Sequence, residues 1–184
     1  KPRVIDYLPM LKKIETRLLS CSTLLSSGDK LTLLKSVFTS MPTFFMCTLP
    51  LPKTVIKQIN IYLKQCFWRK FGTLDSGPPL ISWEKVCKPK KFGGLGVLDI
   101  ATHNQALLMK FIHKFLNKAD IPWVQIIWET YYQSSLPGER VVGLFWWQEI
   151  CKLLPTYKMH AICKAEVGDT AHFWTDNWSG VPLS

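Results

Sequence analysis

The 184-residue sequence contains no two adjacent acidic residues, although it has 13 Asp and Glu in all. Polymerases and nucleases that use two metal ions need carboxylates brought together, and nothing local in the sequence suggests such a site. Three common signatures are also missing: Gly-x-Ser-x-Gly, His-Glu-x-x-His, and Gly-x-x-x-x-Gly-Lys followed by Ser or Thr. They would mark a serine hydrolase, a zinc peptidase and a nucleotide-phosphate loop. We therefore predict no catalytic residue within this chain.

The sequence also lacks any Cys-x-x-Cys pair. Its six cysteines are scattered and mostly stand beside apolar residues, which is typical of reduced thiols in an intracellular protein. Cys151, His160, Cys163 and His172 have residue types that zinc accepts, but their spacing does not match a zinc finger. We predict no metal site and no cofactor in this chain.

Long apolar runs are missing too. None approaches the roughly 20 residues that cross a bilayer, and no apolar leader follows Lys1-Pro2-Arg3. We expect no membrane partner and a location in the nucleus or the cytoplasm. The sequence does not begin with Met, so we expect it to be a piece of a longer protein.

Positive charge is in excess, and the excess is confined to one half of the sequence. The formal net charge is +10; residues 1–100 hold 16 Lys and Arg against 6 Asp and Glu, whereas residues 101–184 hold 7 against 7. This asymmetry indicates a polyanionic partner, with nucleic acid preferred over an anionic membrane. The alternative is a solvated basic surface that only aids solubility.

Apolar residues recur mostly at helical spacing, which predicts a mainly α fold. The expected helices lie around Leu8 to Leu18, at 29–41, at 52–70, from Asp99 or Thr102 to Leu116, from Pro122, and around Trp146 to Leu154. Residues 43–51 are expected to be an apolar connector, and short β pieces are expected near 80–98 and 165–175, the latter as a hairpin. We divide the chain into a basic helical region, 1–71, and a helical connector region, 72–184.

Basic residues of the first half fall on helical faces opposite the apolar ones, and such faces suit contacts with nucleic-acid phosphates. The predicted nucleic-acid-binding residues are Lys30, Lys35, Lys53, Lys57, Lys64, Trp68, Arg69, Lys70, Lys88, Lys90 and Lys91. Trp68 is included because an aromatic ring beside two cations can stack on a base. The alternative for Trp68 is packing into a helical core.

Three glycines, Gly93, Gly94 and Gly96, stand within the segment KPKKFGGLGVLDI. Their spacing does not match the dinucleotide-binding fingerprint. We predict that they form a tight structural turn that needs positive φ angles. A cradle of backbone amides for a phosphate group is the alternative.

Several segments, taken in order, resemble the reverse transcriptases of plant LINE-type (non-LTR) retrotransposons. They are SSGDKLTLLKSVFTSMPTFFMCTLPLP, IKQINIYLKQCFWRK, ISWEKVCKPKKFGGLGVLDI, NQALLMKFIHKF, PWVQIIWETYY, FWWQEI and VGDTAHFWTDNW. The resemblance covers nearly the whole chain, and the ordered run of segments is more specific than any one of them.

The resemblance implies a region downstream of the catalytic palm of an RNA-directed DNA polymerase. The first helices would be the thumb, and the rest would be the connector to a C-terminal region rich in cysteine and histidine. The implied partners are an RNA template, an RNA–DNA hybrid or DNA, and the palm and fingers of the parent polyprotein, with no small-molecule substrate. Mg²⁺ would be bound by the palm, so we expect this chain alone to be inactive.

Two positions depart from the family's pattern. Family members usually have Ala-Gly-Arg or Gly-Gly-Arg where this chain has Gly28-Asp29-Lys30, and the segment FWRK lacks the glycine common after Trp-Arg. Both departures suggest relaxed constraint, as in a decayed copy of an element. The alternative function is a degenerate or domesticated non-catalytic protein-interaction module, in which the tryptophans of residues 123–147 would anchor a partner.

Overall fold

The computed structural model describes residues 2–19, 25–68, 81–132, 142–163 and 176–177, and every regular element in these ranges is helical. The predicted mainly α fold is therefore confirmed. The chain divides into two compact units, the first formed by Pro2–Asn104 and the second by Gln105–Ser184. Within the described ranges, no helix is long and apolar enough to cross a membrane.

The first unit is built around α4 (Lys53–Trp68), against which α1 (Leu8–Leu19) and a preceding 3-10 turn (Val4–Tyr7) pack. Residues three or four positions apart share a helix face, so the apolar spacing of each helix forms one buried stripe. These stripes consist of Met10, Leu11, Ile14 and Leu18 in α1, and Val55, Ile59, Leu63 and Cys66 in α4.

A capping box starts α2 (Ser27–Leu33), which runs directly into a π-helical turn, Leu34–Phe38. Ser26 Oγ accepts a hydrogen bond from Asp29 N (3.2 Å), and the Asp29 carboxylate accepts one from Ser26 N (3.2 Å). The pair satisfies amides that the first helical turn would otherwise leave without partners. Asp29 therefore has a structural role at the start of α2.

The segment expected to be an apolar connector, residues 43–51, contains α3 (Thr43–Thr48). Asn104, which is 4% exposed, holds this segment in place with its side-chain amide. Its Nδ2 donates to Met46 O (2.8 Å) and Leu49 O (3.0 Å), and its Oδ1 accepts from Leu51 N (2.9 Å). These bonds join residues more than 50 positions apart, so no local pattern could have indicated them.

The prediction of a short β piece near 80–98 is wrong for residues 81–98. These residues contain α5 (Trp83–Cys87) and a 3-10 turn (Lys90–Phe92). Ser82 caps α5, since its Oγ accepts a hydrogen bond from Lys85 N (3.4 Å), and Glu84 lies in the first turn. A cap and a negative charge at the N-terminus both favour a helical turn over an extended strand.

The second unit has an aromatic core that forms around Phe115, near the end of α6 (Ile100–Leu116). The Phe115 ring stacks on Trp128 and meets Trp147 edge-on, with ring centroids 4.6 Å apart in both pairs. Trp147 is 2% exposed and donates through Nε1 to the Tyr132 hydroxyl (3.1 Å). The other tryptophans of the proposed partner anchor, Trp123 and Trp146, pack on the same core. The structure therefore assigns these tryptophans to the core, contrary to their alternative role as partner anchors.

The remaining helices of the second unit are α7 (Pro122–Tyr131), α8 (Phe145–Cys151) and α9 (Leu154–His160). Pro155 lies in the first turn of α9 and begins a new helix there. Proline is tolerated at this position because the N–H that it lacks has no partner in a first turn. The hairpin predicted at 165–175 lies outside the described residues.

Candidate nucleic-acid interface

One side of α4 forms the clearest basic surface. Lys53, Lys57 and Lys64 are exposed, and at 3.6 residues per turn they point within about 40° of one another, away from the buried stripe of α4. With a rise of 1.5 Å per residue, they extend over roughly 16 Å, about five base-pair steps of a duplex. Among the described residues, no carboxylate lies within ion-pair distance of them. We call these three residues the lysine stripe.

Lys30 and Lys35, on α2 and the π-helical turn, are half-buried. The Lys35 ammonium lies beside the glycine segment: a Cβ added to Gly96 would be 3.6 Å from Lys35 Nζ and 3.9 Å from Lys90 Cγ. The tertiary structure thus places the Lys35 ammonium and the stem of Lys90, from separate parts of the sequence, beside the same glycine.

Lys88, Lys90 and Lys91 are all exposed around the 3-10 turn. The Lys91 ammonium lies 4.9 Å from the centroid of the Phe92 ring, itself exposed. A cation–π contact at the surface is worth little, on the order of 0.5–1 kcal/mol. Lys91 can therefore leave the ring for a phosphate group at low cost.

The glycine segment is a turn whose amides are paired internally. Gly93 N donates to Lys90 O (3.0 Å), Gly94 N to Pro89 O (3.3 Å) and Gly96 N to Lys88 O (2.9 Å). Gly93 and Gly96 have positive φ angles of 76° and 67°, which glycine adopts at least cost. Because these N–H groups already have partners, they do not form the alternative amide cradle for phosphate.

Trp68 is half-buried at the end of α4, and its ring meets Trp83 edge-on with centroids 5.5 Å apart. This contact joins α4 to α5, and it favours the packing alternative over a platform for base stacking. Arg69 and Lys70, predicted to act beside Trp68, lie outside the described residues.

The pKa of the Cys87 thiol depends on burial and on charged groups that include Lys64 of the lysine stripe. Burial raises the pKa of the Cys87 thiol to about 11, the Asp99 carboxylate adds to the rise, and the Lys64 ammonium opposes it. Asp99 also caps α6, since its Oδ1 accepts a hydrogen bond from Thr102 N (2.8 Å). A thiol with so high a pKa is protonated at neutral pH, and it is a poor nucleophile or metal ligand.

The residues considered for zinc have other contacts. Cys151 Sγ lies 3.9 Å from the Tyr132 hydroxyl, and His160 Nδ1 lies 2.8 Å from Thr156 O. In the parts of the chain that are described, no three His, Cys, Asp or Glu residues are grouped to hold a metal ion. His172 lies outside these parts.

Similar proteins include two from Arabidopsis thaliana. A putative ribonuclease H protein is 31% identical over 166 residues, which cover 86% of this chain and 27% of that protein. An uncharacterized mitochondrial protein is 26% identical over 150 residues, which cover 76% of this chain and 92% of that protein. The chain thus spans 27% of the first relative's length and nearly all of the second's. No protein-family model matches the chain, and no solved structure matches it significantly.

Proposed function

We propose that the chain derives from a plant retroelement and is the template–primer-binding segment of a LINE-type reverse transcriptase. The resemblance of its ordered segments to that family supports this proposal, and so does a relative whose name denotes a ribonuclease. The two relatives support the retroelement origin more directly than they support template binding.

The lysine stripe is the observation that carries the binding proposal. The helix spaces these cations regularly on the side opposite a buried apolar face, and the length of the row matches several phosphates along one strand. A polymerase thumb must hold product of any sequence, which phosphate contacts allow because they do not read bases. Lys30, Lys35, Lys88, Lys90 and Lys91 extend the positive surface of the same unit.

The proposed ligand is an RNA–DNA hybrid or duplex DNA, bound mainly by counterion release. The palm and fingers of a parent polyprotein would supply the carboxylates and the Mg²⁺ for nucleotide transfer. The chain by itself is proposed to bind without polymerising and to need no cofactor.

A pair of double variants tests this proposal. Lys53→Met/Lys57→Met removes two charges from the stripe, and Lys110→Met/Lys114→Met removes two exposed charges at the same spacing on α6 in the neutral half. Binding of a hybrid of about 20 base pairs is measured by fluorescence anisotropy from about 50 to 200 mM KCl. We expect the stripe variant to lower the slope of log K against log salt by about 1.8, since each phosphate contact contributes about 0.9.

The Lys110→Met/Lys114→Met control is expected to leave both the affinity and the slope nearly unchanged. Equal losses in the two variants would mean that only net charge matters. Binding that does not weaken as salt rises would refute the electrostatic mechanism altogether.

A further inference from the structure

The Lys35 ammonium and the aliphatic stem of Lys90 both lie beside Gly96. A Cβ built on Gly96 would lie 3.6 Å from Lys35 Nζ and 3.9 Å from Lys90 Cγ. Both lysines and the glycine belong to the first unit. Since glycine has no side chain, the space between the two lysine side chains is left open on this side.

Within the described ranges, neither lysine forms an ion pair. Among the residues that the structure describes, no carboxylate lies within 4.0 Å of the ammonium of Lys35 or Lys90. Asp99, the acidic residue nearest to Gly96 in the sequence, accepts hydrogen bonds from Thr102 N and Thr102 Oγ1 instead. The flexible stem of Lys90 allows its ammonium to move toward Lys35, where two like charges would repel each other without a counter-charge. A bound anion would turn this repulsion into attraction.

The helix that carries Lys35 is irregular at this residue. Lys35 belongs to the π-helical turn Leu34–Phe38, in which Thr39 N donates to Leu34 O (3.1 Å). Leu34 and Phe38 are fully buried, so the turn is anchored on its inner side while Lys35 is half-buried at its edge. π-Helical turns are rare and are found frequently at functional sites.

We propose that Lys35 and Lys90 together hold one phosphate group above Gly96. The proposal rests on the proposed function, since the phosphate is a backbone phosphate of the bound nucleic acid. Gly96 N donates to Lys88 O and is not available, so the two ammonium groups supply the binding. The site is a defined contact, separate from the diffuse attraction of the lysine stripe.

Charge-removal variants of the full chain test whether the two lysines share one phosphate. Lys35→Met and Lys90→Met are each expected to weaken hybrid binding roughly tenfold. The double variant should lower the salt slope by only about 0.9, because a single phosphate contact is lost. Lys53→Met/Lys57→Met, which removes two contacts, should lower it by about twice as much. Independent effects of Lys35→Met and Lys90→Met, with a slope change of about 1.8, would overturn the proposal.

A steric variant tests the space itself without changing charge. Gly96→Asn puts a side chain between the lysines, and asparagine tolerates a positive φ angle. Gly93→Asn is the matched control, because Gly93 also has a positive φ angle but an added Cβ meets nothing within 4 Å. We expect Gly96→Asn to weaken binding about as much as Lys35→Met does, while Gly93→Asn leaves it unchanged. Equal binding by the two variants, with both folded by circular dichroism, would overturn the proposal.

Inorganic pyrophosphate distinguishes failure of this site from failure of the proposed function. At constant ionic strength, it is expected to raise the thermal midpoint of the wild type and of Gly93→Asn, but not of Gly96→Asn. If pyrophosphate stabilises the chain but the hybrid does not bind, the anion site is supported and the nucleic-acid function is refuted. If the hybrid binds equally well to Lys35→Met, Lys90→Met and Gly96→Asn, the phosphate site is refuted and the nucleic-acid-binding function still stands.

Discussion

The turn at Gly94 offers the sharpest test of the structure, because any side chain there meets the main chain. A Cβ on Gly94 would lie 1.9 Å from Lys88 O and 2.4 Å from Lys88 C. Real Cβ contacts are essentially never shorter than 3.0 Å, so the Lys88 carbonyl would have to move by at least about 1 Å. The atom in the way is backbone and cannot swing aside as the end of a flexible side chain could.

That movement has a calculable cost in Gly94→Ala. Lys88 O accepts the hydrogen bond from Gly96 N (2.9 Å), and the next amide along the turn, Leu95 N, donates to Val86 O (3.0 Å). Losing one or two such bonds costs about 0.5–1.5 kcal/mol each, and forcing atoms into a filled space adds about 1–3 kcal/mol. We therefore expect the free energy of unfolding to fall by about 3 kcal/mol.

Gly93→Ala is the matched control for this substitution. Its Cβ meets no atom within 4 Å, so only the positive φ angle of 76° is unfavourable, at about 1–2 kcal/mol. Denaturant unfolding measures the free energies, and hydrogen–deuterium exchange of the peptide that contains residues 83–97 localises the loss. Equal destabilisation by the two variants, or a neutral Gly94→Ala, would refute the steric argument.

Three further predictions concern stability. Asn104→Leu removes two buried hydrogen bonds to the backbone and one part-buried one, so it should destabilise the chain by about 2–4 kcal/mol. The control Gln105→Leu, at the exposed neighbouring position, should have little effect on denaturant unfolding. Asp29→Ala should cost about 0.5–1 kcal/mol by removing the capping box, and Asp29→Glu, which can reform it, should restore most of the helicity measured by circular dichroism. The pKa values of Cys87 and Tyr132, about 11 and about 12 in the folded chain, lie above their ordinary values of 9.0 and 10.0 because both groups are buried. The unfolded chain therefore loses these protons first, so unfolding free energy should fall as pH rises from about 9 to 12, and Cys87→Ala should flatten the lower part of that fall.

The helices and their buried faces could be predicted from the sequence because they depend on local spacing. In α4, residues four positions apart share a face whatever the helix packs against, so Val55, Ile59 and Leu63 had to be buried together and Lys53 and Lys57 exposed together. The capping box at Ser26 and Asp29 is equally local. Its pattern, a serine followed three residues later by an acidic residue, is a local signal for the start of a helix.

Other features depend on contacts between distant segments. The sequence by itself determined a mainly helical chain with its positive charge in the first half, since charge and periodicity can be counted residue by residue. Only the tertiary structure decided that the Lys35 ammonium and the Lys90 stem both lie beside Gly96, that the amides of the glycine turn are already paired, and that Asn104 holds residues 46–51. The physical reason is that a hydrogen bond or a close approach depends on where two chain segments meet, and local spacing carries no information about that meeting.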